Sequence, residues 1–372
     1  MPRHCGDTRS TDQTGFAPRL SELDLSRRND NPAITAAISA VADYMPALDF
    51  PYEPAPISTT VISAFFPPPA EEPLVRKMGN GPFIRDTQEY IDGLRYMSKK
   101  CSNLVLFLPP GALTEEIRAT SKPDVVVYDH FTSVWELPHL KGRKDEFYGR
   151  QIRLCEEGGS RKGLYGEPHS WGAWNAKAFL ILEASRIDPF KTTHFAWVDI
   201  RLPTMAKAKV PDDCPWPHPQ SVAGALNVTP SSDRVVISAM RPLRPIGTAY
   251  WHTWLDNGTK TDVFMEDIHA ICANLYFGSK LAMARLAKAQ LVLMERDLAR
   301  GYYVGREEFQ LSYIHYEFSN LIYVLELSSQ KPYTPGVSWF TFLYCYMSEL
   351  RSWRNLGLDA DPITDSNNDT NY

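Results

Sequence analysis

The sequence predicts an α/β domain with a mainly parallel central sheet that helices cover on both faces. Short apolar runs alternate with helical segments through the middle of the chain, which is the order that parallel strands and crossover helices produce. Runs such as LVLFL at 104–108 have no polar alternation, as expected for strands buried on both faces. The 372 residues, 44% of them hydrophobic, suffice for one large core.

The predicted domain occupies residues 31–357. Residues 1–30 are polar and of mixed charge, so we expect them to be disordered. A helix is expected at 31–48, where apolar residues have helical spacing. The aromatic, amphipathic stretch at 338–356 should dock as a final helix, and residues 358–372 form a polar tail.

Three strands and their helices are predicted in the first half of the domain. The strands are apolar runs at 59–66, 104–108 and 124–128. A helix over 84–99 places Ile84, Ile91 and Leu94 on one side, and Thr114 caps a short helix after the second strand.

The second half of the domain contains the most informative run. A helix at 170–186 leads into the strand THFAWVDI at 193–200. The proline-rich stretch 203–219 is too long for a simple connector and predicts a functional loop. Further strands are expected at 234–240 and 276–277, followed by helices at 280–300, with Gly301 as terminator, and 306–320.

Composition excludes several classes of protein. A net charge of -5 gives no global attraction to nucleic acid. The polar N-terminus and the lack of a long apolar stretch indicate a soluble, cytoplasmic protein without a membrane span. The six scattered cysteines are expected to be reduced, and the pair Cys214 and His218 is too isolated to predict zinc.

Asp199 is the main candidate site residue, because it ends an apolar strand. Ligands of open α/β sheets bind beyond the carboxyl ends of strands, and an acid beside a buried strand is costly without a partner. A divalent cation bridging to a diphosphate is one such partner. The alternatives are that Asp199 caps the next turn or pairs with Arg201.

Other polar residues could support that site. Lys177, with Trp174 one turn before it, could hold a phosphate, although tryptophans in such a helix are often core residues and the lysine then reaches water. Glu307 and Glu308 could bind a sugar or act as a base, or could simply favour the helix N-terminus. Gly278 could let a sugar approach the backbone, or could only serve a turn.

Three stretches of this sequence resemble the HtrL/YibB-like family of GT-A nucleotide-diphospho-sugar transferases. They are TTVISAFF (59–66), WNAKAFLILEASRIDPFKTTHFAWVDI (174–200), and ANLYFGS (273–279) with the region 305–325. The middle stretch is the specific one. Signature loops of common ATPases, dinucleotide enzymes, serine hydrolases and zinc proteases are absent from the sequence.

The resemblance implies a single GT-A domain that moves a sugar from a nucleotide-diphosphate donor to a carbohydrate or glycoconjugate acceptor. The nucleotide would lie over the first strand, at Thr60, Ala64 and Phe65. Lys177 would lie near the donor phosphates, Asp199 would replace the acidic metal- and ribose-binding motif, and Gln310 would follow the acids at 307 and 308.

The chain departs from that family in one respect. VDIR offers one acid where the usual DxD motif has two, and Arg201 stands in the second acidic position. The implied Mn²⁺ or Mg²⁺ could therefore bind weakly at Asp199, or share its electrostatic role with Arg201 or Lys177. A non-catalytic sugar- or protein-binding module with the same fold is the alternative; nucleotidyl transfer is disfavoured because prolines, not glycines, follow the first strand.

Overall fold

The structure, a computed structural model, describes residues 58–68, 87–157, 168–203, 216–217, 234–239, 271–318 and 320–326. The predicted disordered segment, the helices at 31–48 and 338–356, the tail and most of the proline-rich loop lie outside these ranges.

Seven strands among the described residues form one mixed sheet. They are β1 (Thr59–Ala64), β2 (Leu104–Phe107), β3 (Val125–Tyr128), β4 (His194–Val198), β5 (Val235–Ala239), β6 (Ile271–Ser279) and β7 (Ile322–Glu326). Their spatial order is β3-β2-β1-β4-β6-β5-β7. Only β6 runs against the other strands of this sheet, pairing antiparallel with β4 and β5. The predicted mainly parallel sheet is confirmed.

Seven α-helical segments are described with the sheet: α1 (Thr87–Lys100), α2 (Ala112–Thr120), α3 (Lys144–Glu146), α4 (Ile152–Glu157), α5 (Pro168–Ile187), α6 (Lys280–Arg300) and α7 (Glu307–Glu317). The helices α1 and α2 pack on one face of the sheet through Leu94 and Ile117. The helices α5, α6 and α7 pack on the other face. The chain therefore has α/β architecture, as predicted.

Both faces of the central strands are buried, which explains their uninterrupted apolar sequences. In β2, Leu104 and Leu106 belong to the core beneath α1 and α2. Val105 and Phe107 belong to the core beneath α5 and α6. Alternate residues thus point to opposite cores, and no position in this strand tolerates a polar side chain without cost.

Two strands differ from the prediction. β6 has nine residues, whereas the sequence predicted a strand only at Tyr276 and Phe277. Asn274 interrupts the apolar pattern there, but its backbone oxygen accepts from the backbone N–H of Asp199, and its side-chain oxygen accepts from Cys272 Sγ. β7 was not predicted at all; it pairs in parallel with β5.

The helices agree more closely with the sequence, except that the predicted cap Thr114 lies inside α2, where its hydroxyl donates to Pro109 O. α6 begins after Ser279, whose hydroxyl accepts from the backbone N–H of Ala282. It ends at Gly301, which adopts a left-handed conformation with φ of 75°, as the glycine predicted. The charged stretch after 143 forms α3, a π-helical turn and α4, which the sequence did not predict. None of the described helices combines the length and apolar character needed to cross a membrane.

Candidate functional site

Asp199 is the first residue after β4, at the carboxyl edge of the parallel strands. Its backbone N–H donates to Asn274 O at 2.7 Å, which extends the pairing of β4 with β6 by one residue. Its side chain remains 33% exposed. Asp199 is therefore fixed at the backbone while its carboxylate is still accessible, as a ligand-binding role requires.

Lys177 is the principal partner of Asp199. Its ammonium comes from α5 and is buried, with a side-chain exposure of 3%. Nζ lies 2.8 Å from Asp199 Oδ1, 2.6 Å from Glu307 Oε1 and 3.0 Å from Ala273 O. An ammonium has three donors, so these three oxygens use all of them. Lys177 thus neither reaches water nor has a donor left for a phosphate, and the geometry gives it a positioning role instead of the predicted phosphate contact.

Trp197 is a second group that orients Asp199. Trp197 is the last but one residue of β4 and Asp199 directly follows the strand, so with a spacing of two along the extended chain their side chains leave the same face of the sheet. Trp197 Nε1 donates to Asp199 Oδ1 at 2.9 Å, and Lys177 Nζ lies 5.7 Å from the indole ring centroid. Sequence reasoning missed this role, although the two-residue spacing along a strand was a usable signal.

Glu307 lies on the buried side of Lys177, at the start of α7. Its side chain is 2% exposed, so it does not face an acceptor, and the predicted role as a base is replaced by a role in holding Lys177. Burial raises the pKa of Glu307 to about 8, and the nearby Glu308 also favours the protonated form. Burial opposes the charge on Lys177, but Asp199 and Glu307 outweigh it and raise its pKa.

Gln310 lies one turn after Glu307 and ties α7 to α5. Its Nε2 donates to Asn175 Oδ1 at 2.8 Å. Asn175 Nδ2 in turn donates to Trp171 O at 2.9 Å and to Val304 O at 2.8 Å. These groups are buried, so the structure gives Gln310 a packing role under the site and not the predicted contact with a ligand.

Thr60 and Gly278 lie at the opposite edge of the sheet from Asp199. Both pair with Phe195, four residues before Asp199, or about 13 Å along the strand. Thr60 is buried with its hydroxyl 2.6 Å from that of Thr192. A Cβ at Gly278 would lie 3.1 Å from Arg234 O, so this glycine serves the close pairing of β6 with β5. Neither residue belongs to the cluster formed by Asp199, Lys177 and Glu307.

Arg201 also lies apart from Lys177. Its guanidinium pairs with Glu89 on α1 and lies 5.1 Å from the ring centroid of Tyr90. Because α1 covers the other face of the sheet, Arg201 is directed away from the cluster. The predicted Asp199–Arg201 pair is therefore replaced by the pair of Asp199 with Lys177.

The remaining predicted residues differ in their relation to Asp199. Ile62 pairs with Trp197, and the same register carried two residues further brings Ala64 beside Asp199. Phe65 is buried in the other core and stacks on Tyr90, with ring centroids 5.3 Å apart. Trp174 is partly buried against the core beneath α5, and Glu308 is partly buried next to Glu307 on α7.

The residues around Asp199 do not fit a divalent metal held by the protein. Oδ1 of Asp199 already accepts from Lys177 and Trp197. The described part of the chain contains no group of three or more His, Cys, Asp or Glu side chains that could hold a metal ion. The cationic group at this carboxylate is the Lys177 ammonium.

Fold and site together define an α/β protein with an accessible carboxylate, braced by a buried lysine, at the carboxyl edge of its sheet. No protein-family model matches the chain, and comparison with curated proteins gives no significant match.

Proposed function

We propose that this protein is a glycosyltransferase that moves a sugar from a nucleotide-diphosphate donor to an acceptor hydroxyl. One observation carries the proposal: Asp199 is accessible, fixed by Lys177 and Trp197, and lies at the carboxyl edge of parallel strands. In open α/β sheets this edge is where ligands bind.

The GT-A assignment is part of this proposal. It rests on the likeness of the segments that contain β1, α5 with β4, and β6. The mixed sheet supports it, because the strand that carries the acid belongs to a block of four parallel strands and is followed across the sheet by the antiparallel β6. Fold alone does not define an activity, so the proposed chemistry depends on Asp199 and its neighbours.

Asp199 would accept hydrogen bonds from hydroxyl groups of the donor and so orient the donor for reaction. The acceptor oxygen attacks the anomeric carbon, the bond from that carbon to the diphosphate oxygen breaks, and the acceptor proton passes to a base. Glu308, which is less buried than Glu307, is the candidate for that base or for a sugar contact. Lys177, Trp197 and Glu307 position Asp199 without touching the substrate.

Thermal unfolding with a panel of nucleoside diphosphates and nucleotide sugars tests the proposal. A ligand present at 100 times its Kd stabilises the folded protein by about 2.7 kcal/mol, so a true donor should raise the melting temperature. Asp199→Ala should abolish the shift. Arg201→Ala is the matched control and should retain it, because Arg201 pairs with Glu89 on the opposite face.

The outcomes distinguish a glycosyltransferase from a non-catalytic sugar- or protein-binding module. A shift accompanied by release of nucleoside diphosphate in the presence of acceptor sugars supports the transferase. If no nucleotide shifts the melting temperature of the wild-type protein, the transferase proposal fails and the non-catalytic binding module takes its place.

A further inference from the structure

We propose that Lys177 is the resident cation of the carboxyl pair formed by Asp199 and Glu307, and that this pair takes no divalent metal. A nucleotide diphosphate would then bind without Mn²⁺ or Mg²⁺. The part of the inference that concerns the nucleotide rests on the proposed function, whereas the part that concerns the metal stands on the geometry alone.

The ammonium lies inside a shell of three oxygens. Asp199 Oδ1, Glu307 Oε1 and Ala273 O lie 2.8, 2.6 and 3.0 Å from Nζ. A carboxylate, a second carboxyl group and a backbone carbonyl are the ligand types that hard divalent cations take. The chain therefore builds a cation site here and fills it with its own side chain.

Moving the Lys177 ammonium out of this shell of oxygens would cost free energy. Its side chain is only 3% exposed, and withdrawing the ammonium would leave the buried carboxyl oxygen of Glu307 without its hydrogen-bond partner, which is unfavourable whether that carboxyl is neutral or ionised. A metal at Asp199 would have to bind beside a fixed positive charge 2.8 Å from Oδ1, and like charges at such separations repel.

The residue that would complete a metal-binding motif is also directed elsewhere. Two residues after Asp199 the chain has Arg201, whose guanidinium pairs with Glu89 and packs over Tyr90 on the opposite face. The turn after β4 thus supplies one carboxylate, that of Asp199. The next charged residue in the turn is Arg201, which carries a positive charge and pairs with Glu89.

Manganese binding measured by electron paramagnetic resonance tests the inference, since Mn²⁺ loses its free aqueous signal when it binds to protein. Wild-type protein mixed with equimolar Mn²⁺ should leave that signal unchanged. Lys177→Ala removes the ammonium and leaves the three oxygens facing the vacated space, so this variant should bind Mn²⁺ at least tenfold more tightly than wild type. Adding Asp199→Asn to Lys177→Ala should remove the gained binding.

Wild-type protein that binds Mn²⁺ stoichiometrically, with the binding lost in Asp199→Asn, would overturn the inference. This arm needs only the wild type and a mild variant, so it decides the matter even if Lys177→Ala does not fold. A folded Lys177→Ala that binds no more Mn²⁺ than wild type would also overturn it.

A nucleotide arm distinguishes this inference from the proposed function. The shift in melting temperature produced by UDP or GDP should be the same in EDTA and in Mn²⁺. A shift seen only with Mn²⁺ contradicts the inference that Lys177 takes the place of a metal, but it remains consistent with the proposed transferase. If neither condition gives a shift and Mn²⁺ does not bind, the transferase proposal fails, whereas the inference that Lys177 takes the place of a metal is supported.

Discussion

Replacing Lys177 by methionine should destabilise the folded protein strongly. Methionine keeps most of the length of the side chain but removes its charge and its three donors. The change leaves Asp199 and the buried Glu307 without their common cation, and leaves Ala273 O without its donor. Above pH 8, where Glu307 is ionised, breaking a buried ion pair by removing one partner costs about 3–5 kcal/mol, so we expect a loss of that order in the free energy of unfolding measured above that pH.

A double-mutant cycle measured by urea denaturation isolates this interaction. Glu307→Gln alone should cost less, about 1 kcal/mol, because Lys177 keeps Asp199 and Ala273 O as partners. In the double variant Lys177→Met with Glu307→Gln, a neutral amide replaces the buried carboxyl of Glu307, so no buried carboxylate is left without a cation. The combined loss should therefore be smaller than the sum of the single losses, by about 0.5–3 kcal/mol, which is the usual coupling between contacting residues.

Two results would refute this reasoning. One is a cost below about 1 kcal/mol for Lys177→Met, which is typical of an exposed ion pair and not of a buried one. The other is strict additivity of the two substitutions, since additivity is the behaviour of distant, independent sites. Lys280→Met is a suitable comparison, because Lys280 pairs with Asp188 at a position more exposed than that of Lys177.

Two further predictions concern the backbone and the pH dependence. Gly93→Ala should cost about 1–3 kcal/mol in urea denaturation and weaken the response to nucleotide, because its Cβ would lie 2.0 Å from the backbone oxygen of Ile200, next to Asp199. Gly149→Ala, whose Cβ would meet its nearest atom at 3.9 Å, should cost far less. The pKa of Glu307 is about 8 when folded, above its ordinary 4.5, so its contribution to stability is complete below 4.5 and is lost as pH rises through 8, by at most about 1.4 kcal/mol per pH unit. Urea denaturation at a series of pH values should show this slope in wild type and lack it in Glu307→Gln; equal slopes would contradict the assignment.

Local sequence patterns predicted the elements that are buried on both faces or clearly capped. β2 is a continuous apolar run, and α6 lies between Ser279 and Gly301. The strands β6 and β7 were harder, because their stability comes from neighbours far away in the chain. Asn274 in β6 looks unfavourable until its backbone partner Asp199 is known, and no local pattern supplies a partner so distant in the chain.

The candidate site was predicted residue by residue but not as an arrangement. Asp199, Lys177 and Glu307 were each identified from their local sequence, yet their meeting depends on α7 packing beside α5, at a separation of 130 residues between Lys177 and Glu307. Thr60 and Gly278 were assigned to the site because strand register is not visible in a single sequence. The register with Phe195 moves both to the other edge of the sheet.

The contacts of Lys177 link the stability of the domain to the geometry of its site. The ammonium comes from α5, and its three oxygens come from the end of β4, from β6 and from α7. Two residues before Lys177, the side-chain oxygen of Asn175 accepts a hydrogen bond from Gln310 on the next turn of α7, so α7 contacts α5 through two polar pairs. A substitution that loosens α7 must therefore shift Glu307 relative to Lys177. Because the Lys177 ammonium also contacts Asp199 Oδ1, the position of the Asp199 carboxylate should change with it. It follows that Gln310→Leu, whose side chain bonds Asn175 and not Asp199, should lower the free energy of unfolding in urea and also reduce the shift in melting temperature that a nucleotide produces.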